Sequence, residues 1–134
     1  MNVGESAQDY LEMMYMLRER KGIIRSIDIA KELNVTKPSV SVAVKNLREN
    51  GYITMEKNGE IHLTSEGEAI AKDVFDRHVL LCSFLKHLGI NDEDAHSDAC
   101  KIEHDLSNAS IEAIKKFAIE NKIEMVDCIE KEEL

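Results

Sequence analysis

Cysteine, proline and aromatic residues are scarce in this 134-residue chain, which has three cysteines, one proline, three tyrosines, three phenylalanines and no tryptophan. Three thiols at irregular spacing, Cys82, Cys100 and Cys128, make no disulfide framework and read as reduced thiols or metal ligands. No apolar run approaches the ~20 residues that span a bilayer, which excludes a membrane helix. Met1 to Gln8 lacks the basic-then-apolar layout of a secretion signal, so a cytoplasmic protein is expected. Catalytic signatures are missing as well. There is no His-Glu-x-x-His, no Glu-x-x-His pair from two helices, no Gly-rich phosphate loop and no Gly-x-Ser-x-Gly turn, and the chain is expected not to be an enzyme.

What is present is charge and helical patterning. Charged residues make up 32% and hydrophobic residues 43%, the balance of a water-facing, helical chain long enough for one domain or two small lobes sharing a helix. Net charge is −9, yet residues 18–59 carry nine Lys/Arg against five Asp/Glu, a net of +4. Local patches of this kind, rather than the global sum, decide contact with nucleic acid.

Residues 6–21 space Tyr10, Met13, Met14 and Leu17 as a helix closed by Gly22. Ser26 is expected to cap a short second helix, 27–33, and Thr36 a third, with Pro38 tolerated in its first turn. Val40, Val44 and Leu47 line one face of that third helix, and Gly51 ends it. Alternating apolar residues on either side of Asn58-Gly59 predict a hairpin over 52–63. A long helix follows over 65–88, then one over 91–105 and one over 111–120 capped by Ser107 or Asn108.

Helix, helix, tight turn, helix, hairpin is the winged helix-turn-helix order. Ala30 is small where two helices cross, and Val35 is expected to pack the corner of the turn. Thr36, Lys37, Ser39, Ser41 and Lys45 are left for the outer face, where short hydroxyls permit close approach to a major groove and lysines meet phosphates. Lys57 stands at the tip of the wing.

The second half is dense in metal-ligand types. His96, Cys100, Glu103 and His104 fall at i, i+4, i+7 and i+8 and are expected on one helix face. His78 and Cys82 are at i, i+4 on the long helix, and Asp9 and Glu12 at i, i+3 on the first. Converging imidazole, carboxylate and thiolate donors suit a divalent cation. On the residues alone, a metal-independent winged-helix regulator and a protein-docking winged helix stand beside this reading.

Gln8-Asp9-Tyr10-Leu11-Glu12, the winged helix, Arg77-His78 and the run from Ala99 to Ser107 together resemble the metal-dependent repressors of the diphtheria toxin repressor and manganese transport regulator family. The resemblance covers roughly residues 5–120 and is to the short two-domain type, without the SH3-like third domain of longer members. It implies a mostly α fold. A winged-helix DNA-binding domain occupies 1–64, and a helical metal-binding and dimerisation domain occupies 65–134, with 65–88 as linking helix. It also implies a homodimer, a palindromic double-stranded operator, and activation by two Fe²⁺ or Mn²⁺ ions per subunit. Asp9, Glu12, His78, Glu103 and His104 match ligands of the manganese-type binuclear site. Cys100 matches the iron type instead, whereas that type has Met at the position of Asp9. His78 and His96 match an ancillary site of the iron type in which Cys82 stands for a glutamate. Thr36 and Pro38 align with positions that contact thymine methyl groups, and Val42 replaces a glutamine in the groove.

Charge gives the expected mechanism. Asp9, Glu12, Glu103 and a Cys100 thiolate repel one another, and two divalent cations bring them to about zero. Metal would then clip the two lobes and set the spacing of recognition helices in a dimer. For the dimer, Ile111, Ile114, Phe117 and Ala118 give the last helix an apolar stripe.

Overall fold

The computed structural model describes residues 3–128. It divides into two compact units, Met1–Asp73 and Val74–Leu134. The elements run α1 (Glu5–Lys21), β1 (Ile24–Arg25), α2 (Ser26–Leu33), α3 (Lys37–Glu49), β2 (Ile53–Met55), β3 (Glu60–Leu63), α4 (Ser65–His87), α5 (Asp92–Ile102) and α6 (Asn108–Glu120). Among the described residues no helix is long and apolar enough to cross a membrane.

In the first unit, α1 buries Tyr10, Leu11, Met14 and Leu17, and α3 buries Val40, Val44 and Leu47, the face its spacing predicts. The Thr36 side chain caps α3 by accepting from the Ser39 amide at 3.2 Å, with Pro38 in the first turn, where no intrahelical amide bond is lost. Ser26 does not cap α2. It is the first helical residue, because Arg25 is still extended at the end of a strand. That strand, two residues long, is too short to show a period in sequence. β1 joins the hairpin antiparallel in the order β1-β3-β2, with Ile24 opposite Ile61 and Ile53 opposite Leu63. At the hairpin tip Asn58 Oδ1 accepts from the Glu60 amide at 3.0 Å and Gly59 takes φ +90°, a conformation that favours glycine. Val35 is exposed rather than packed into the corner; the turn is held instead by its backbone amide donating to Ala30 O at 3.0 Å. Gly67 lets α4 start against the wing, since a Cβ there would run into the Tyr52 carbonyl.

In the second unit α4, α5, α6 and the segment after α6 enclose Leu80, Leu81, Cys82, Ala95, Ala99, Ile111, Ala118 and Cys128. Asn91 caps α5 and Ser107 caps α6, each accepting a backbone amide bond. The helix predicted to reach residue 105 stops at Ile102. Arg77 holds the turn that follows: Nη1 donates to the carbonyls of Glu103 at 3.3 Å and Leu106 at 3.0 Å, and Nη2 donates to Asn108 Oδ1. A guanidinium there gives the C-cap and turn carbonyls a partner and places positive charge near the negative end of the helix dipole.

Candidate metal centre and nucleic-acid face

The DNA-facing expectations all lie at the surface of the first unit. Thr36, Lys37, Pro38, Ser39, Ser41, Val42 and Lys45 are exposed along the start and outer face of α3, and Lys57 is exposed at the wing tip. Val42, on the same outer face, is 61% exposed. Asp9 and Glu12 lie one turn apart on α1, both half-buried.

In the second unit a helical repeat of four puts His78 and Cys82 on one face of α4 and His96 and Cys100 on one face of α5. Only those two of the four residues predicted for one helix face lie within α5. Glu103 is its C-cap, and His104 follows in the turn that Arg77 fixes. Glu103 is 1% exposed and His78 3%, so the carboxylate and the imidazole meet inside the unit. His78 Nδ1 is 2.7 Å from Glu103 Oε1 and 4.0 Å from Cys100 Sγ. Its other nitrogen, Nε2, faces a different group: Cys82 Sγ at 3.4 Å and Asp127 Oδ1 at 3.5 Å. His96 packs edge-on to His78 with ring centroids 5.0 Å apart, and its Nε2 lies 3.5 Å from Cys100 Sγ. His104 Nε2 stands 3.7 Å from Glu103 Oε2.

Ligand atoms of His78, Cys100 and Glu103 therefore form one cluster, and those of His78, Cys82, His96 and Asp127 form another, each within 4.8 Å of one another. Asp127 was invisible to pattern reading, because it follows the last helix with no periodicity to place it. Arg77 was noticed only as part of a motif, and its work on the carbonyls of 103 and 106 has no sequence signal.

Proximity of thiols and imidazoles moves the protons. Burial pushes Cys82 up, but His78 and His96 outweigh it and bring the thiol down to about 6. Burial likewise pushes Cys100 up, and the same two rings hold it below the ordinary thiol value. His96 is raised to about 10, chiefly by Cys100 and then Cys82, against burial. Burial draws His78 down, yet Asp127, Cys100, Cys82 and Glu103 hold it well above the imidazole range. Cys128 is pushed up to about 12 by burial and then by Cys82. An anion-rich, hydrogen-bonded group that raises one buried and one half-buried imidazole is a set of donors for which a divalent cation is the natural replacement of the protons.

A winged helix followed by a three-helix lobe carrying clustered imidazole, thiol and carboxylate donors defines a metal-dependent DNA-binding regulator. The comparisons agree: residues 2–61 match the N-terminal DNA-binding domain of iron-dependent repressors, and residues 64–122 match their metal-binding and dimerisation domain. The chain belongs to the iron-dependent repressor family of transcriptional regulators. It is 42% identical over 109 residues to the HTH-type transcriptional regulator MntR of Bacillus subtilis, across 81% of this chain and 77% of that one. It is 35% identical over 117 residues to an uncharacterised HTH-type transcriptional regulator of Methanocaldococcus jannaschii, across 86% and 94%. Among solved structures it resembles the manganese regulator SloR, with a TM-score of 0.75 and 32% identity, across 84% of this chain and 53% of that one. The chain thus spans about half the length of that solved relative.

Proposed function

We propose that this chain is a repressor whose homodimer binds a palindromic operator in double-stranded DNA when Fe²⁺ or Mn²⁺ is bound, two ions per subunit, and that its targets serve metal homeostasis. The observation that supports it best is Glu103, a carboxylate 1% exposed beside an imidazole and a thiol. A carboxylate, an imidazole and a thiol gathered there are donors among which a divalent cation would take the place of the His78 proton and supply fixed ligand geometry. The assigned ligands are Asp9, Glu12, His78, Cys100, Glu103 and His104. Joining Asp9 and Glu12 to the other four rests on the family resemblance. Thr36, Lys37, Pro38, Ser39, Ser41, Val42, Lys45 and Lys57 are the assigned DNA contacts, the apolar ones meeting thymine methyls and the lysines meeting phosphates.

The test is an anaerobic titration of a duplex selected from a random pool by metal-loaded protein, repeated across Mn²⁺, Fe²⁺, Co²⁺, Zn²⁺ and chelator. Metal should strengthen binding at least ~10-fold, about 1.4 kcal/mol of coupling. Equal affinity with chelator would leave a metal-independent winged-helix regulator.

A further inference from the structure

Cys128 belongs to neither donor cluster, yet it is in contact with another thiol. It lies in the segment after α6, buried in the same core as Cys82 on α4. The two side chains are hydrogen-bonded to each other. Thiols far apart in sequence and in direct contact need only a short closure to become covalently joined. We propose that Cys82 and Cys128 are a redox-active dithiol pair, and that their disulfide fastens the segment after α6 to α4.

The neighbours of both thiols hold them together. Ser83, next to Cys82, accepts from the Val126 amide at 2.9 Å, and its hydroxyl lies 3.1 Å from the Val126 carbonyl. Asp127 Oδ1 lies 3.5 Å from His78 Nε2, one helical turn before Cys82. Residues 126, 127 and 128 thus meet residues 83, 78 and 82 of α4 in one docked stretch, the preorganisation that raises the effective concentration of one thiol at the other. Cys100 stands apart from the pair: it approaches His78 from the Nδ1 side at 4.0 Å, whereas Cys82 contacts Nε2 at 3.4 Å. The oxidant is a low-molecular-weight disulfide. The Cys128 sulfur, reached when the segment lifts from α4, attacks one of its sulfurs and displaces a first thiolate. The Cys82 sulfur then attacks the Cys128 sulfur of the mixed disulfide, the protein S–S bond forms, and a second thiolate leaves. The two protein thiols give up two electrons, which reduce the oxidant, and two protons, which the two leaving thiolates take up. The bond closes a loop that contains α5 and α6, and it draws Cys82 Sγ away from the His78 and His96 rings. The inference rests on neither metal binding nor operator binding.

The test uses the full, metal-free chain in a Cys100→Ser background, which removes the exposed thiol. The protein is equilibrated in buffers of reduced and oxidised glutathione, quenched with acid and alkylated. Both free thiols should disappear together within single chains. Trypsin should then yield peptide 78–86 joined to the peptide that begins at Ile123, and a reductant should separate them. The native chain should reach half-oxidation in a buffer at least about tenfold more reducing than the same chain in urea, because folding holds the thiols together. The oxidised form should melt about 5 °C or more above the reduced form. Adding Cys82→Ser or Cys128→Ser should leave no joined peptide, and adding Ser83→Ala should move the midpoint toward that of the chain in urea. Separate glutathione adducts on the two thiols, a bond between two chains, or equal midpoints in native protein and in urea would overturn the pair. An unmoved midpoint with Ser83→Ala would overturn the part given to the docked segment.

Discussion

Glu103 decides most at the level of single residues. Removing its carboxylate takes away the buried anion while leaving the backbone that Arg77 holds. Glu103→Ala should therefore abolish the metal response of operator binding with the fold and dimer intact, read by gel shift beside sedimentation and circular dichroism. Normal repression by this variant in metal-replete cells would remove Glu103 from the ligand set. Cys100, as a proposed ligand, should set metal preference. Its thiolate is softer than a carboxylate, so Fe²⁺ should activate at lower free concentration than Mn²⁺, and Cys100→Glu should shift the preference toward Mn²⁺.

Protons act on the same residues. With His96 raised to about 10 and His78 higher still, metal-free protein holds both rings protonated near neutrality. Coordination needs the imidazole lone pair, so binding releases protons and affinity weakens as pH falls, about tenfold per pH unit for each proton released. The sign for folding differs by group. The lowered Cys82 thiol contributes stability above its unfolded value, and that contribution is lost as pH falls through about 6. A metal-free melting temperature that stays flat across that window would show that the imidazole–thiol contacts contribute nothing.

Among the elements, α4 depends on one missing methyl. Gly67→Ala should destabilise the first unit by about 1–3 kcal/mol or more, because the obstacle is the Tyr52 backbone rather than a side chain that can turn aside. Urea unfolding checks it. Elements of this kind were mostly legible in the sequence. The Thr36 cap, the Val40, Val44 and Leu47 face and the Asn58-Gly59 turn each follow from local rules, and each stands where those rules put it. What escaped depends on distant partners. β1 exists because β3 offers it a register, and the turn after α5 is held by a guanidinium from α4 on the carbonyls of Glu103 and Leu106. Cys82 and His96 were legible by spacing, whereas Asp127 reaches them only through a hydroxyl 43 residues upstream of Val126 in sequence.

For the whole molecule, the apolar stripe on α6 divides. Ile111 and Ala118 are buried within their own unit and Ile114 packs half-buried against the same core, while Phe117 is 40% exposed; outside the stripe, Ile119 is 69% exposed, with Leu88 and Ile90 exposed as well. Phe117 still packs edge-on to Phe84 and near His87. In the proposed dimer, Phe117 of the predicted stripe and the neighbouring Ile119 are the exposed apolar residues that α6 can offer a second copy. Ile119→Lys should dissociate the dimer with the helices intact. A sedimentation mass of two chains for this variant at micromolar concentration would place the interface elsewhere.

Cys100 has a consequence of another kind. Its residue is exposed, whereas Cys82 and Cys128 are buried, and two neighbouring rings hold its sulfur toward the anion. An accessible thiolate is a nucleophile and the first rung of the sulfenic, sulfinic and sulfonic ladder. The thiol proposed as a metal donor is then also where a peroxide or an alkylating reagent would strike when no ion covers it. Brief iodoacetamide treatment of metal-free protein should label Cys100 ahead of the two buried thiols. Bound metal should slow that labelling, so the fraction of alkylated Cys100 records how long each molecule has been without its cation.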